Sequence, residues 1–249
     1  MKIAILGAAG RMGQNLLRCA PETEGCEIIA AVERADHPCI GAAVPGAPES
    51  LRYTADWPTA AQAVIDFTFH TCVIPNLSNA VSNGQAVVLG TTGLTDAEKL
   101  YVKGATALVP IVWANNMSLG VNLLLELVKR ASAVLGPGYD IEIVETHHRL
   151  KKDAPSGTAL SLGEAAAAGR GATLSDVACY GREGIVGERP AGEIGIHAVR
   201  GGAIIGEHTV SFISNVETVE IAHKATSRDA FAMGALRAAL WLNGRKPGL

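Results

Sequence analysis

The opening stretch, MKIAILGAAGRMGQNLLRCA, constrains the fold of this chain more than any other. KIAILG is a short apolar run that stops at a glycine, as a buried parallel strand does, and RMGQNLLRCA after it has helical spacing of its apolar residues. Between strand and helix, Gly7, Gly10 and Gly13 stand at G-x-x-G-x-x-G spacing. Glycines there let the backbone turn tightly and approach a pyrophosphate, whose charge is favoured at a helix N-terminus. Plain helix starts also contain such turns, so the downstream context decides. Glu33 follows Gly13 by twenty residues, at the end of the second predicted strand, CEIIAAVER. An acid at that place can accept from the ribose hydroxyls of a dinucleotide, whereas its neighbour Arg34 can face a 2′-phosphate, and the pair is compatible with NADH, with NADPH or with two solvated charges at a strand end.

The βα pattern then repeats. AVIDFTF and QAVVLGTTG read as further strands, and TDAEKLYVKGA reads as a helix capped by Thr95 with Glu98 three residues on. Repeated units of this kind predict an α/β fold, a Rossmann-type doubly wound parallel sheet, over residues 1–118. The pattern changes after that. A long helix, SLGVNLLLELVKRASAVL, precedes the strand YDIEIVETHH, a helix, and three strand-like runs, GEIGIHAVRG, GEHTVSFIS and ETVEIAHKA. One helix among strands joined by glycine-rich turns predicts a smaller α+β domain with an open mixed sheet over residues 119–227. Residues 228–249 form a last helix, capped by serine, that returns to the first domain.

Composition narrows the function classes. With 48% hydrophobic residues the chain has material for one large core or two modest ones, and a net charge of −3 with 4% aromatics argues against a nucleic-acid surface. Small ligands are the expected partners. Cys19, Cys26, Cys39, Cys72 and Cys179 are scattered, without a C-x-x-C pair, so neither a disulfide framework nor a zinc site is expected and a reducing, cytoplasmic setting is. Arg11 interrupts the apolar N-terminal run before a signal peptide could form, and MSLGVNLLLELVK carries Asn122 and Glu126, so a buried helix is expected there rather than a membrane span.

Three polar clusters follow apolar runs. LGTTG and WANNMS place Gly90, Thr91, Thr92, Ala114, Asn115, Asn116 and Met117 at the carboxyl edge of the first sheet, where doubly wound folds bind ligands. The third, ETHHRLKKDAPSGTAL, gathers His147, His148 and Lys151 ahead of a helix opened by Pro155 and capped by Ser156. Gly157 and Thr158 then offer backbone N–H groups, and Thr158 a hydroxyl, at the positive end of the helix dipole. That set suits a small dianion, and a histidine beside it can transfer a proton near neutral pH. Adjacent strand residues point to opposite faces, so one of the two histidines at most meets the reacting centre unless the strand has already ended. A solvated basic loop ahead of an ordinary capped helix is the competing reading; a metal site lacks acidic or cysteine partners at ligand spacing.

Taken together, GAAGRMG, ETHHRLKKDAPSGTA, GEIGIHAVRGG, GEHTVSF and HKATSRDAFAMGALRAALWL resemble the dihydrodipicolinate reductase family along nearly the whole chain. The resemblance implies a cofactor domain of Rossmann type, a substrate domain whose open sheet builds a homotetramer, and reduction of a cyclic dicarboxylate by NADH or NADPH in lysine and diaminopimelate biosynthesis. It also implies roles: His147 as catalytic acid/base, Lys151 as proton donor, His148 as a substrate contact, and Gly157 with Thr158 as a carboxylate clamp. Cofactor contacts implied in the same way are Gly7, Ala8, Ala9, Gly10, Arg11, Met12, Glu33, Arg34, Gly90, Thr91, Thr92, Ala114, Asn115, Asn116 and Met117. One stretch departs: after IDFT the family commonly has a small residue, a variable one and proline, and here Phe69, His70 and Thr71 stand. Two rival readings share the first domain, another Rossmann-type dehydrogenase acting on a small dicarboxylate or amino acid and a dinucleotide sensor without catalysis. Neither has a use for Lys151, Gly157 and Thr158 at this spacing.

Overall fold

The structure, a computed structural model, describes residues 1–48 and 50–249. It divides into two compact units, Met1–Ser118 with Asp229–Leu249, and Leu119–Arg228.

The first unit carries β1 (Lys2–Leu6), α1 (Arg11–Cys19), β2 (Glu27–Val32), β3 (Tyr53–Thr54), β4 (Ala63–Asp66), α2 (Val73–Ser82), β5 (Ala86–Leu89), α3 (Asp96–Ala105) and β6 (Ile111–Trp113). Its six strands lie in the order β3-β2-β1-β4-β5-β6, all parallel. The winding direction reverses between β1 and β4, which leaves a crevice at their carboxyl ends. Both faces of this sheet are covered, and alternation along β1 shows it. Ile3 and Ile5 pack with Leu16 and Leu17 of α1 and with Ala235, Leu236 and Ala239 from the C-terminal segment, while Ala4 and Leu6 pack with Leu77 of α2 and Val102 of α3. That is why β1, β4 and β5 read as continuous apolar runs rather than alternating ones. At the start of α3 the expected cap is present: Thr95 Oγ1 accepts from the Glu98 N–H, and Glu98 Oε2 accepts from the Thr95 N–H at 2.7 Å.

The second unit contains α4 (Leu119–Leu135), β7 (Asp140–His147), α5 (Gly157–Gly169), α6 (Leu174–Val177), β8 (Ala178–Tyr180), β9 (Ile194–Arg200), β10 (Gly206–Ile213) and β11 (Thr218–Ala225). The sheet order is β11-β10-β7-β9-β8, antiparallel from β11 to β7 and parallel from β7 to β8, so the sheet is mixed. One face is covered. Ile141 and Ile143 of β7, Val210 and Phe212 of β10, Leu124 and Val128 of α4, and Leu162 and Ala166 of α5 form its core. The opposite face carries Val144, Val199 and Ile213, all exposed, beside an ionic network on Glu142. Burial opposes the charge on Glu142, yet bonds from Arg182, His197 and Arg189 outweigh it and bring its pKa down to about 2. Gly195 makes room for that carboxylate, because a Cβ there would lie 1.9 Å from Glu142 Oε2.

The sequence gives one helix among the strands of this second unit, and the structure adds the single-turn α6 and the three-residue edge strand β8. Elements that short hold no full period of either pattern, and tertiary pairing makes them. The last helix, α7 (Asp229–Trp241), belongs to the first unit, where Asp229 pairs with Arg18 of α1.

Backbone proximity fixes the glycine turn. Gly7 adopts φ +73°, and a Cβ on Gly13 would lie 2.3 Å from the Gly7 carbonyl oxygen and 2.5 Å from Ala8 Cα. Neither neighbour is a flexible side chain. Gly13→Ala is therefore expected to destabilise the protein by about 1–3 kcal/mol, lowering Tm by roughly 2–4 °C per kcal/mol, whereas Gly104→Ala, with open space around it in α3, should leave Tm unchanged or raise it. Thermal unfolding of the two variants beside the parent checks the difference.

Candidate active site

A cavity of about 1250 Å³ opens in the first unit at the crevice between β1 and β4. Gly7, Gly10, Arg11 and Met12 line it from the glycine turn, and Glu33 and Arg34 from the end of β2. Gly90, Thr91, Thr92, Asn115, Asn116 and Met117 line it from the ends of β5 and β6. Three expected contacts are not on its wall. Ala8 is fully buried in the core, Ala9 gives its N–H to Glu33 Oε1 at 2.8 Å, and Ala114 packs against the core. Glu33 thus braces the turn from the strand next door, and Arg34 pairs with Asp36 at 3.1 Å, both well exposed. α1 begins at Arg11 with Gly10 as its N-cap and no side-chain cap, so its first turn meets the cavity with backbone donors.

The floor of the crevice is organised by a residue that sequence reading passes over. Asp66, at the end of β4 and 2% exposed, accepts from Thr68 N–H at 2.8 Å, Thr91 Oγ1 at 3.1 Å and Asn76 Nδ2 at 2.8 Å. It therefore ties the loop after β4 to the loop after β5 and to α2. Gly90 is glycine for a local reason, since a Cβ there would lie 2.2 Å from the Phe67 ring. The departing stretch has its own anchor. His70 Nδ1 lies 3.0 Å from Glu98 Oε1, the same carboxylate that closes the cap of α3, and bonds from His70 and the Thr95 N–H hold Glu98 below the usual carboxylate range. Phe69 beside it is 77% exposed and lines the cavity with His70 and Thr71.

In the second unit, alternation along β7 determines what the third polar cluster becomes. Ile141, Ile143, Glu145 and His147 share the covered face, so a glutamate and a histidine occupy the next two core positions after two isoleucines. The strand ends at His147; His148 lies beyond it and donates its N–H to the Ile204 carbonyl at 2.7 Å. Glu145 is fully buried and four bonds meet it. Oε2 accepts from His147 Nδ1 at 2.5 Å and from Arg200 Nη1 at 2.7 Å, and Oε1 accepts from Arg200 Nη2 at 2.7 Å and from the Ser156 N–H at 2.9 Å. Burial opposes its charge, but the bonds from Arg200, His147 and Ser156 prevail and hold it below the usual carboxylate range. Burial pushes His147 the other way, below the ordinary imidazole value, against the pull of Glu145.

Ser156 links this group to α5. Its Oγ caps the helix by accepting from the Ala159 N–H at 3.2 Å and lies 3.0 Å from His208 Nε2. His208 is 4% exposed, stands edge-on to the His147 ring at 5.2 Å between centroids, and is pushed down to about 4 by burial and by His147, so it stays neutral near pH 7. Gly157 opens the helix in free space, with nothing within 4 Å of a Cβ position, and Lys151 Nζ reaches Asp153 Oδ2 at 3.0 Å. His147, Lys151, Gly157 and Thr158 are thus grouped around one helix start. Glu145, Arg200 and His208 join them without having been singled out in the sequence. The usable signal was an acid in phase with the core isoleucines of β7, which must meet a cation once buried.

Among the described residues, no cluster of three or more histidine, cysteine or acidic side chains could hold a metal ion, and no helix is long and apolar enough to cross a membrane.

The chain was compared with known proteins. Residues 1–117 match the family model described as dihydrodipicolinate reductase, N-terminus, and residues 120–249 the one described as dihydrodipicolinate reductase, C-terminus. Among curated proteins, it is 48% identical over 255 residues to a 4-hydroxy-tetrahydrodipicolinate reductase of Anaeromyxobacter dehalogenans (strain 2CP-1), covering 100% of this chain and 94% of the relative. It is 46% identical over 255 residues to the protein of that name from Thiobacillus denitrificans, covering 100% and 96%. Of solved structures, the dipicolinate-bound dihydrodipicolinate reductase from Paenisporosarcina sp. TG-14 aligns over 100% of this chain and 97% of its own with a TM-score of 0.81 at 23% identity. GenD2 from gentamicin A biosynthesis, in complex with NAD, aligns over 99% and 87% with a TM-score of 0.58 at 14% identity, and both likenesses are ones of fold. Matched in both units by the two halves of one family, and nearly half identical to full-length relatives, the chain belongs to the dihydrodipicolinate reductase family.

Proposed function

We propose that the protein reduces 4-hydroxy-tetrahydrodipicolinate to tetrahydrodipicolinate with NADH or NADPH, in the diaminopimelate route to lysine, with His147 and Lys151 as the proton-handling residues. The observation that carries this reading is the grouping of an imidazole held by a buried carboxylate with an open helix start and a lysine, on a chain of this family. Curated relatives carry the name of that activity, and the solved reductase from Paenisporosarcina binds dipicolinate, a planar dicarboxylate.

The first unit fits a dinucleotide. Its glycine turn leaves no room for a Cβ at Gly13, the uncapped α1 offers backbone donors to a pyrophosphate, and Glu33 and Arg34 stand where adenosine hydroxyls or a 2′-phosphate would be met. Gly90, Thr91, Thr92, Asn115, Asn116 and Met117 would serve the nicotinamide side. Bound there, the cofactor supplies a hydride. In the second unit, the Gly157 N–H and the Thr158 N–H and hydroxyl bind one substrate carboxylate, helped by the dipole of α5. Loss of the 4-hydroxyl as water leaves a conjugated ring that accepts the hydride; positive charge from Lys151 stabilises the enamine-like anion that forms, and Lys151 Nζ delivers the proton that quenches it. His147 exchanges its proton at Nε2, since Nδ1 is committed to Glu145. His148 contacts the substrate.

The enzyme works in the cytoplasm as a homotetramer built through the open face of the second sheet. In support, Val144, Val199 and Ile213 leave apolar surface on that face, and the five cysteines are free thiols.

Oxidation of NAD(P)H with substrate made fresh from aspartate semialdehyde and pyruvate by the preceding synthase tests the assignment. Rapid turnover is expected, and none would overturn it. In that assay, His147→Gln and Lys151→Ala should each lower kcat by about a hundredfold to ten-thousandfold while NAD(P)H binding stays nearly intact. Turnover within about threefold of the parent would remove the residue from proton transfer.

Cofactor choice gives a second test. Glu33 disfavours a 2′-phosphate, Arg34 favours it, and Asp36 competes for the Arg34 guanidinium, so specificity constants for NADH and NADPH should fall within about a hundredfold, or about 2.7 kcal/mol. Arg34→Ala should weaken NADPH far more than NADH, and Glu33→Ala the reverse; equal losses with both cofactors would show that neither residue meets the adenosine ribose.

A further inference from the structure

We infer that Glu145 is the positioning residue of the second unit's site, setting the tautomer, orientation and charge of His147 and holding that imidazole to the start of α5. The inference deepens the reading above and rests on His147 as the proton-handling group.

The geometry is specific. Glu145 is fully buried and lies one alternation before His147 on β7, so both side chains emerge on the same face. Arg200, directly across from His147 in the parallel β7/β9 ladder, reaches both carboxylate oxygens and also donates from Nη2 to the Asp153 carbonyl at 2.8 Å. A buried carboxylate without such a partner would take up a proton; the guanidinium keeps this one ionised. An ionised carboxylate only accepts, so the proton between it and His147 belongs to Nδ1, and Nε2 is left to exchange with a ligand. The same carboxylate accepts the Ser156 N–H immediately before Gly157, which fixes the imidazole relative to the helix start. The logic parallels the aspartate of a serine-protease triad, which orients its histidine and stabilises the imidazolium without itself being protonated.

Gly206 completes the arrangement from β10. A Cβ there would lie 2.9 Å from His147 Nε2, so the ring takes this position only against a glycine. The charged and titratable groups facing His147 are Glu145 from its own strand, Arg200 from β9, His208 from β10, and Lys151 with its partner Asp153 from the segment before α5. Glu145 raises the proton affinity of His147, and Lys151 and Arg200 oppose it.

Arg200 therefore acts on His147 chiefly through Glu145, by keeping that carboxylate ionised, and a purely structural role would leave the titration of His147 unmoved. NMR titration of the His147 ring in the full chain, run beside steady-state kinetics, tests this with Glu145→Gln and Arg200→Gln. In Glu145→Gln the midpoint should move to lower pH, and kcat should fall by at least about tenfold while KM for NAD(P)H stays within about threefold. In Arg200→Gln the midpoint should also move to lower pH, because Glu145 without its guanidinium takes up a proton and its pull on His147 outweighs the direct opposition of Arg200. An unmoved midpoint in folded Glu145→Gln, or a rise in Arg200→Gln, would overturn the inference. Should Glu145→Gln fail to fold, the sign of the Arg200→Gln shift decides alone. A shifted midpoint with unchanged turnover would support the coupling and overturn the catalytic role of His147 instead.

Discussion

The second unit is arranged around an ionised carboxylate placed at a core position. Glu145 has no exposure, and deleting one partner of such a buried pair typically costs about 3–5 kcal/mol, so the sheet must present Arg200, His147 and the Ser156 N–H together or not fold this way. Their positions follow from strand register. β7 and β9 pair in parallel with His147 opposite Arg200, and β10 runs antiparallel with His208 opposite Glu145. Holding one charge in the core thus fixes two strands, the segment before α5 and the orientation of an imidazole at once. Satisfied polar networks of this kind specify a unique arrangement better than apolar packing does, because every alternative leaves a charge unpaired.

The first unit uses the same device at its crevice. Asp66 ends β4 on the covered side and gathers donors from Thr68, Thr91 and Asn76, so the loops after β4 and β5 are set by a carboxylate rather than by their own turn chemistry. In both units a buried acid stands at the carboxyl end of a central strand, and residues of the candidate site hang from it. The loop that carries Phe69, His70 and Thr71 is anchored through His70 to Glu98 and leaves Phe69 on the cavity wall.

Much of this was legible in the sequence, and the exceptions have a common cause. The glycine turn, the strand runs of the first unit, the Thr95 cap and the Ser156 cap are local: a few neighbouring residues determine each, and the structure forms each where the pattern indicates. The grouping of His147, Lys151, Gly157 and Thr158 was legible in the run ETHHRLKKDAPSGTAL, and the resemblance added their individual roles. What could not be read depends on pairing between distant strands. Arg200 looks like the end of a strand until β9 lies beside β7, His208 like one polar residue in an alternating run until β10 does, and β3 and β8 are too short to show any period. Glu145 was the exception within the exceptions, since its phase with Ile141 and Ile143 already marked it as buried.

The central claim is that the helix start at Gly157, beside His147 and Lys151, holds a small dicarboxylate. Inhibition by pyridine-2,6-dicarboxylate tests it directly, measured on the parent and on Thr158→Val, which keeps the side chain's shape and removes its hydroxyl. Inhibition competitive with substrate is expected, with an inhibition constant weaker in the variant by about 1.5–3 kcal/mol, or roughly tenfold to more than a hundredfold. Inhibition that did not compete with substrate, or a constant that Thr158→Val left unchanged, would contradict the placement of the carboxylate at this helix start.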